Sequence, residues 1–169
     1  MSRAFVKEDD QRNSGDELPE RALSPHPNYV TAQGLADLKR EVETLSTERE
    51  ATLQSGDRFA AKEGLARIDR NLRYAKARVA GAILVDLTNQ PADVVAFGAT
   101  VRVREPSGEE RVFRIVGEDE ADAERGMASW VSPLARALRG AQVGDSVTWK
   151  RPGGDLEIEL VSIDYAHIE

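Results

Sequence analysis

The sequence predicts an α+β fold in which an antiparallel helical hairpin, residues 29–82, precedes a β-rich domain, residues 83–169. Two observations carry this expectation. Between Thr31 and Val79 two apolar stripes step by three and four residues, which is the seam of a helix packed on a helix. Beyond Ala82 apolar and polar residues alternate instead, the pattern of a half-buried strand.

The elements follow in order. Residues 1–28 are polar, charged and punctuated by Pro19, Pro25 and Pro27, with no apolar period, and are expected to form a disordered or extended lead. Thr31 stands where a helix N-cap belongs, ahead of Leu35, Leu38, Val42 and Leu45. The second stripe is Leu65, Ile68, Leu72, Ala75 and Val79. In helices that fold back on each other, the numbers of facing residues add to a constant. Leu35 with Val79, Leu38 with Ala75, Val42 with Leu72 and Leu45 with Ile68 add to 113 or 114. The turn therefore falls near residue 57, where Ser55-Gly56-Asp57 offers a glycine to end the first helix and an aspartate to cap the second. The seam degrades beyond Leu45 to Arg49 and Thr52, and Gly64 costs the second helix about 1 kcal/mol relative to alanine. The outer third of the hairpin is expected to be its least stable part. Arms of about 24 residues would be on the order of 36 Å long.

In the second half, Val101 and Val103 lie on one face of a strand, and Val112, Arg114 and Val116 alternate with Phe113 and Ile115 on another. Ser132-Pro133 before Leu134, Ala135, Ala137 and Leu138 reads as a capped helical turn with proline at its first position. Val143 to Trp149 and Leu156 to Ile163 flank Pro152-Gly153-Gly154 as a β-hairpin.

Composition narrows the function. The net charge of −7 and pI near 5.0 disfavour free DNA binding, which needs a basic surface that releases counterions, so a protein partner is expected. There is no cysteine, which excludes disulfides, Cys-ligated zinc and thiol nucleophiles. His26 and His167 are too few and too far apart in sequence for a His-rich metal site or a Ser-His-Asp triad. Aromatic residues are 5% of the chain, which argues against a large aromatic-lined pocket. No stretch approaches the roughly 18 apolar residues of a membrane span, so a cytoplasmic protein is expected.

Four segments carry a resemblance. Phe97-Gly98-Ala99-Thr100-Val101, Phe113-Arg114-Ile115-Val116-Gly117-Glu118-Asp119-Glu120-Ala121-Asp122, Ser132-Pro133-Leu134-Ala135-Arg136-Ala137-Leu138, and Pro152-Gly153-Gly154 ahead of the last strand resemble, in order and spacing, the C-terminal domain of the GreA/GreB family of bacterial transcript-cleavage and elongation factors. Gly56-Asp57-Arg58 and Ile68-Asp69-Arg70-Asn71-Leu72-Arg73-Tyr74 look closer to the GreB branch. The resemblance covers roughly Tyr29 to Tyr165. It implies an FKBP-like C-terminal domain that grips the rim of the RNA polymerase secondary channel, on the largest subunit, while the coiled coil enters the channel. It also implies a factor that is not itself an enzyme, meets nucleic acid only through the polymerase complex, and holds no cofactor of its own. Two tip carboxylates of such factors help hold the second Mg²⁺ of the polymerase active site, where an ion with open positions gains oxygen ligands. A monomer is expected.

This sequence departs from the family at the tip. Asp57 fits the first acidic position, but the second falls on Ala60. Glu63 is the nearest substitute, and six residues along a helix places it roughly 120° away in azimuth. The family's arms are longer by about two turns, roughly 11 Å of reach. Cleavage stimulation is therefore expected to be weak or absent. The alternative is a regulator resembling Rnk, a nucleoside diphosphate kinase regulator with a truncated coiled coil, which occupies the channel without cutting. A peptidyl-prolyl isomerase, suggested only by the FKBP-like fold, is disfavoured because Phe97, Phe113, Trp130, Trp149 and Tyr165 are scattered.

Each candidate residue also has a plainer role. Asp57 is either a Mg²⁺-directed carboxylate or a helix N-cap. Arg67, Arg70, Arg73, Lys76 and Arg78 form a basic helix face for polymerase acids or RNA phosphates, or else a solvated surface pairing with Glu41, Glu43 and Glu48. Ser132, Pro133, Ala135 and Arg136 are the expected polymerase contacts, although the same residues would cap a short helix; Val131 stands where the family has a polar residue. The acidic run Glu118, Asp119, Glu120, Asp122 and Glu124 is expected to be a solvated loop, and Trp130 and Trp149 to be core residues.

Overall fold

The computed structural model describes residues 18–165. Residues 1–17 of the expected lead, and His167, lie outside the described residues. Helix α1 (Ala32–Gln54) and helix α2 (Arg58–Ala80) are joined by a three-residue turn, and the hairpin forms where the two stripes predict. Thr31 is the N-cap of α1, its Oγ1 accepting the Gly34 amide at 3.0 Å. Val42, Leu45, Ile68, Leu72 and Ala75 form the hairpin's own core, and Leu38 and Ala75 line one small cleft near its base. Arg49 bonds Asp69 at 2.6 Å and Arg67 reaches Glu48 at 3.3 Å, stitching the arms on the flank of the seam. No residue from 46 to 67 is buried, so apolar packing is confined to the inner two thirds.

The turn differs from expectation in one respect. Gly56 is not left-handed; Ser55 closes α1 instead, with its amide on Ala51 and Thr52 carbonyls and its hydroxyl on the Thr52 carbonyl at 2.8 Å. The amide and hydroxyl donors of Ser55 satisfy carbonyls at the helix end, so the glycine's conformational freedom is not needed.

Strand β1 (Asn28–Val30) runs into α1, and strand β2 (Ala82–Leu84) follows α2; the two pair in parallel, closing the open end of the hairpin. The remaining strands are β3 (Thr100–Arg104), β4 (Glu110–Val116), β5 (Met127–Ser129), β6 (Ser146–Trp149) and β7 (Leu156–Asp164), in the sheet order β5-β4-β3-β7-β6. Within this sheet β4 and β5 pair in parallel and the other neighbours antiparallel. Helix α3 (Pro133–Leu138) covers one face with Leu134, Ala135 and Leu138, against Val101, Val103, Phe113, Ile115, Ile158 and Leu160. The fold is thus α+β, as the patterns predict.

Part of the expected lead is described. Residues 18–27 lie against the fold, and Asn28 is a buried strand residue. Proline punctuation correctly excludes helix here, but the segment finds partners on α2 and on the domain.

Gly117 shows how tightly β1 sits on the domain. A Cβ at this position would lie 2.5 Å from the Tyr29 carbonyl oxygen, a backbone atom held by the β1–β2 pairing. Gly117→Ala should therefore cost about 1–3 kcal/mol, typical of overpacking, seen as a lower urea midpoint by far-UV circular dichroism. An unchanged midpoint would mean that β1 does not press on this glycine.

Candidate functional site

Three regions bear on function: the hairpin tip, its base, and the cleft beside α3. At the tip Asp57 is the N-cap of α2, one carboxylate oxygen accepting the amides of Phe59 and Ala60 at 3.1 and 3.2 Å. The capping role is therefore filled, and it orients the carboxylate toward the helix end. Phe59 next to it is 86% exposed, the most exposed large apolar side chain described. Glu63 is exposed two turns down the helix. Among the described residues no group of three or more His, Cys, Asp or Glu is placed to hold a metal ion.

The base corrects two expectations. Arg78, assigned with its neighbours to the basic helix face, is 4% exposed. Its Nε donates to Asp119 at 2.6 Å, one Nη donates to the Asn28 side chain at 2.6 Å, and the Glu118 carboxylate lies 3.7 Å away. Asn28 in turn donates to the Arg78 carbonyl at 2.7 Å. The acidic run is correspondingly not a solvated loop over Glu118–Glu120, a 3-10 turn between β4 and β5. Tyr74 donates to Asp119 at 2.8 Å, and Thr31 donates to Glu120 at 2.6 Å while capping α1. The Glu120 carboxylate thereby sits at the N-terminus of a 23-residue helix, whose dipole favours it. Gly34 makes that approach feasible, because a Cβ there would meet Glu120 Oε2 at 2.6 Å. Burial and the bond to Asp119 raise the Tyr74 hydroxyl above its ordinary value, so it stays a donor at neutral pH.

The rest of the basic run remains on the surface. Arg73 donates to Glu20 at 2.5 and 3.2 Å, a bond that holds the Glu20 carboxyl below its usual range. Arg70 is half-buried with its Nε lacking a partner, and Lys76 is exposed. Glu48 is the only one of the three proposed acids of α1 that bonds the run among the described residues.

Beside α3 the structure gathers what the sequence scatters. A cleft of about 400 Å³ is lined by Tyr29, Phe97, Trp130, Val95, Ala135 and Arg139, among others. Tyr29 packs edge-on against Trp130 at 5.1 Å and tilted against Phe97 at 6.1 Å. Trp130 Nε1 is buried without a partner, and Trp130 itself is a cleft wall rather than full core. Phe113 and Trp149 pack together elsewhere, and Tyr165 spends its hydroxyl on the Val94 carbonyl and Ala96 amide. No sequence signal joins Tyr29, in β1, to Trp130. Of the expected contact residues, Ser132 caps α3 by accepting the Ala135 amide at 3.3 Å, Pro133 is its first residue, Arg136 is exposed, and Ala135 is 3% exposed at the cleft wall.

Comparison with known proteins points to one family. The family described as Transcription elongation factor, GreA/GreB, C-term matches residues 90–165. Transcription elongation factor GreB of Neisseria meningitidis serogroup B is 36% identical over 157 residues, 84% of this chain and 96% of its own. Transcription elongation factor GreA of Nitratidesulfovibrio vulgaris is 33% identical, over 80% of this chain and 92% of its own. The solved structure of a prokaryotic transcription elongation factor GreA/GreB from Nitrosomonas europaea is 27% identical, covering 82% of this chain and 99% of that one, with a TM-score of 0.41.

Removing the buried guanidinium would strand Asp119 and Glu118 against the hairpin. Arg78→Leu should cost about 2–4 kcal/mol, less than a fully enclosed pair because Asp119 is a fifth exposed. Arg78→Lys should recover less than half, since an ammonium cannot fork to Asp119 and Asn28 together. Chemical denaturation of the three proteins measures this; equal stability of Arg78→Leu and the parent would contradict it.

Proposed function

The chain belongs to the GreA/GreB family of transcription elongation factors, and from that premise we propose that it binds bacterial RNA polymerase at the secondary channel and regulates elongation without strongly stimulating transcript cleavage. The observation that carries this reading is the separation of a docking surface from a rod. The aromatic cleft and the exposed Arg136 lie beside α3, where Tyr29 of β1 brings the hairpin base to the cleft wall, and two arms of 23 residues separate them from the tip. An apolar side chain from a helical tip of the largest subunit would fill the cleft, a backbone carbonyl beside it would accept from Trp130 Nε1, and Ser132, Pro133 and Arg136 would meet its rim. The basic α2 face, Arg67, Arg70, Arg73 and Lys76, would face RNA phosphates inside the channel.

The tip supports the second half of the proposal. The arms are 23 residues each, about 34 Å at 1.5 Å per residue, and the GreB relative aligns over 157 positions that take in only 84% of this chain, so part of it has no counterpart here. Ala60 supplies no oxygen where the family places its second acid, and Asp57 already accepts two amides. One capping carboxylate on a short rod is a poor ligand for a distant Mg²⁺, which needs contact at about 2.1 Å. The rod would instead occupy the channel, the behaviour also attributed above to Rnk-like relatives.

Two measurements test the proposal together. Purified chain should be retained by RNA polymerase, with Trp130→Ala lowering affinity about tenfold or more, a loss typical of a buried aromatic anchor. On a backtracked complex, RNA cleavage should stay near the polymerase's own rate with either the parent or Asp57→Ala. No retention at low salt would remove the polymerase reading; strong cleavage abolished by Asp57→Ala would restore a metal-directed tip.

A further inference from the structure

Residues 18–27 form no helix or strand, yet they are tied down at several points. Glu20 takes two hydrogen bonds from the Arg73 guanidinium, from Nη2 at 2.5 Å and Nε at 3.2 Å. The Arg21 guanidinium lies 3.8 Å from the centre of the Tyr74 ring, one residue along α2. Further on, Ser24 donates to Glu118 at 3.0 Å, and His26 packs edge-on against Trp130 at 5.8 Å. The segment therefore crosses from the middle of α2, over the hairpin base, to the wall of the aromatic cleft.

Arg73 sits within the basic run of α2, and a guanidinium fork is the group best suited to take a phosphate side-on. Here that fork is filled by a carboxylate of the same chain. Both partners are largely exposed, Arg73 by 58% and Glu20 by 62%, so the pair is weak and readily broken. Tethering compensates, because an attached anion competes at an effective concentration that a free one reaches only in the millimolar range. Weak pairing with strong tethering is what allows a cover to open when a longer anion, with several phosphates, arrives.

We propose that residues 18–27 are an autoinhibitory strap: Glu20 and Arg21 occupy the basic face of α2, and an RNA chain reaches Arg73 only after the strap is displaced. This rests on the reading of that face as phosphate-facing given above. It accounts for how a chain of net charge −7 keeps a cationic helix face from pairing with nucleic acid at random.

The test uses the full chain and a fluorescein-labelled single-stranded poly(U) RNA at low salt. Glu20→Ala should bind it about three- to fivefold more tightly than the parent, the range an exposed tethered pair controls. Glu50→Ala, the same change of charge at an exposed position of α1, should gain clearly less, and Arg73→Ala should bind more weakly than Glu20→Ala. Trypsin should also cut after Arg21 sooner in Glu20→Ala. If Glu20→Ala matches Glu50→Ala in RNA binding and proteolysis while Arg73→Ala still weakens binding, the strap is overturned and the α2 face stands. If none of the proteins binds RNA, Glu20→Ala included, the strap is overturned, because a freed Arg73 then takes no phosphate.

Discussion

A guanidinium taken out of water is costly, and it is kept only where anions and polar groups surround it. Arg78 is in that position at the junction of rod and sheet, with Asp119 and Glu118 from the β4–β5 connection and Asn28 from β1 around it. The partners come from two separate parts of the chain, so one side chain fixes the last turns of α2 against both the domain and the strand that opens α1. Thr31 and Glu120 repeat the device at the start of α1. The hairpin consequently leaves the domain along a direction set by charge, hydrogen bonds, the close seats of Gly34 and Gly117, and the packing of Tyr29 on Trp130 and Phe97.

From that joint outward the physics changes. Apolar packing holds the inner arms through Leu45, Ile68, Leu72 and Ala75, and past Leu45 the arms rely on helix propensity, caps and flank ion pairs. The part that would go furthest into a partner is thus the least packed, which suits a segment whose final environment is supplied by another molecule. The domain carries the opposite character. Its core is closed by α3 over the central strands, and a cleft beside α3 is walled in part by aromatic rings.

The rod was legible because it is local. The constant sum of facing residue numbers places the turn within a residue, and Thr31, Asp57 and Ser132 all cap the helices they precede. The strands of the sheet domain were legible from their period, except β5 and the β1–β2 pair, which are three residues each and too short to show one. The base was misread for a related reason. Arg78 belongs to the same basic stretch as Arg67, Arg70, Arg73 and Lys76, and only the fold reveals that its side of α2 turns toward the acids at 118–120. The contacts of residues 18–27 were not legible, because low apolar content argues against a core of its own but says nothing about docking on another element. The cleft was invisible because Tyr29 and Trp130 are brought together by β1 crossing above Gly117.

The central claim is that the rod is held on the domain in one orientation by the Arg78 junction. Because the chain has no cysteine, Gly56→Cys at the tip and Lys150→Cys on the sheet domain can carry two spin labels without background. Pulsed electron paramagnetic resonance should give one narrow distance distribution between them, broadening when Arg78→Leu is added. A broad or two-peaked distribution with Arg78 intact would contradict the account.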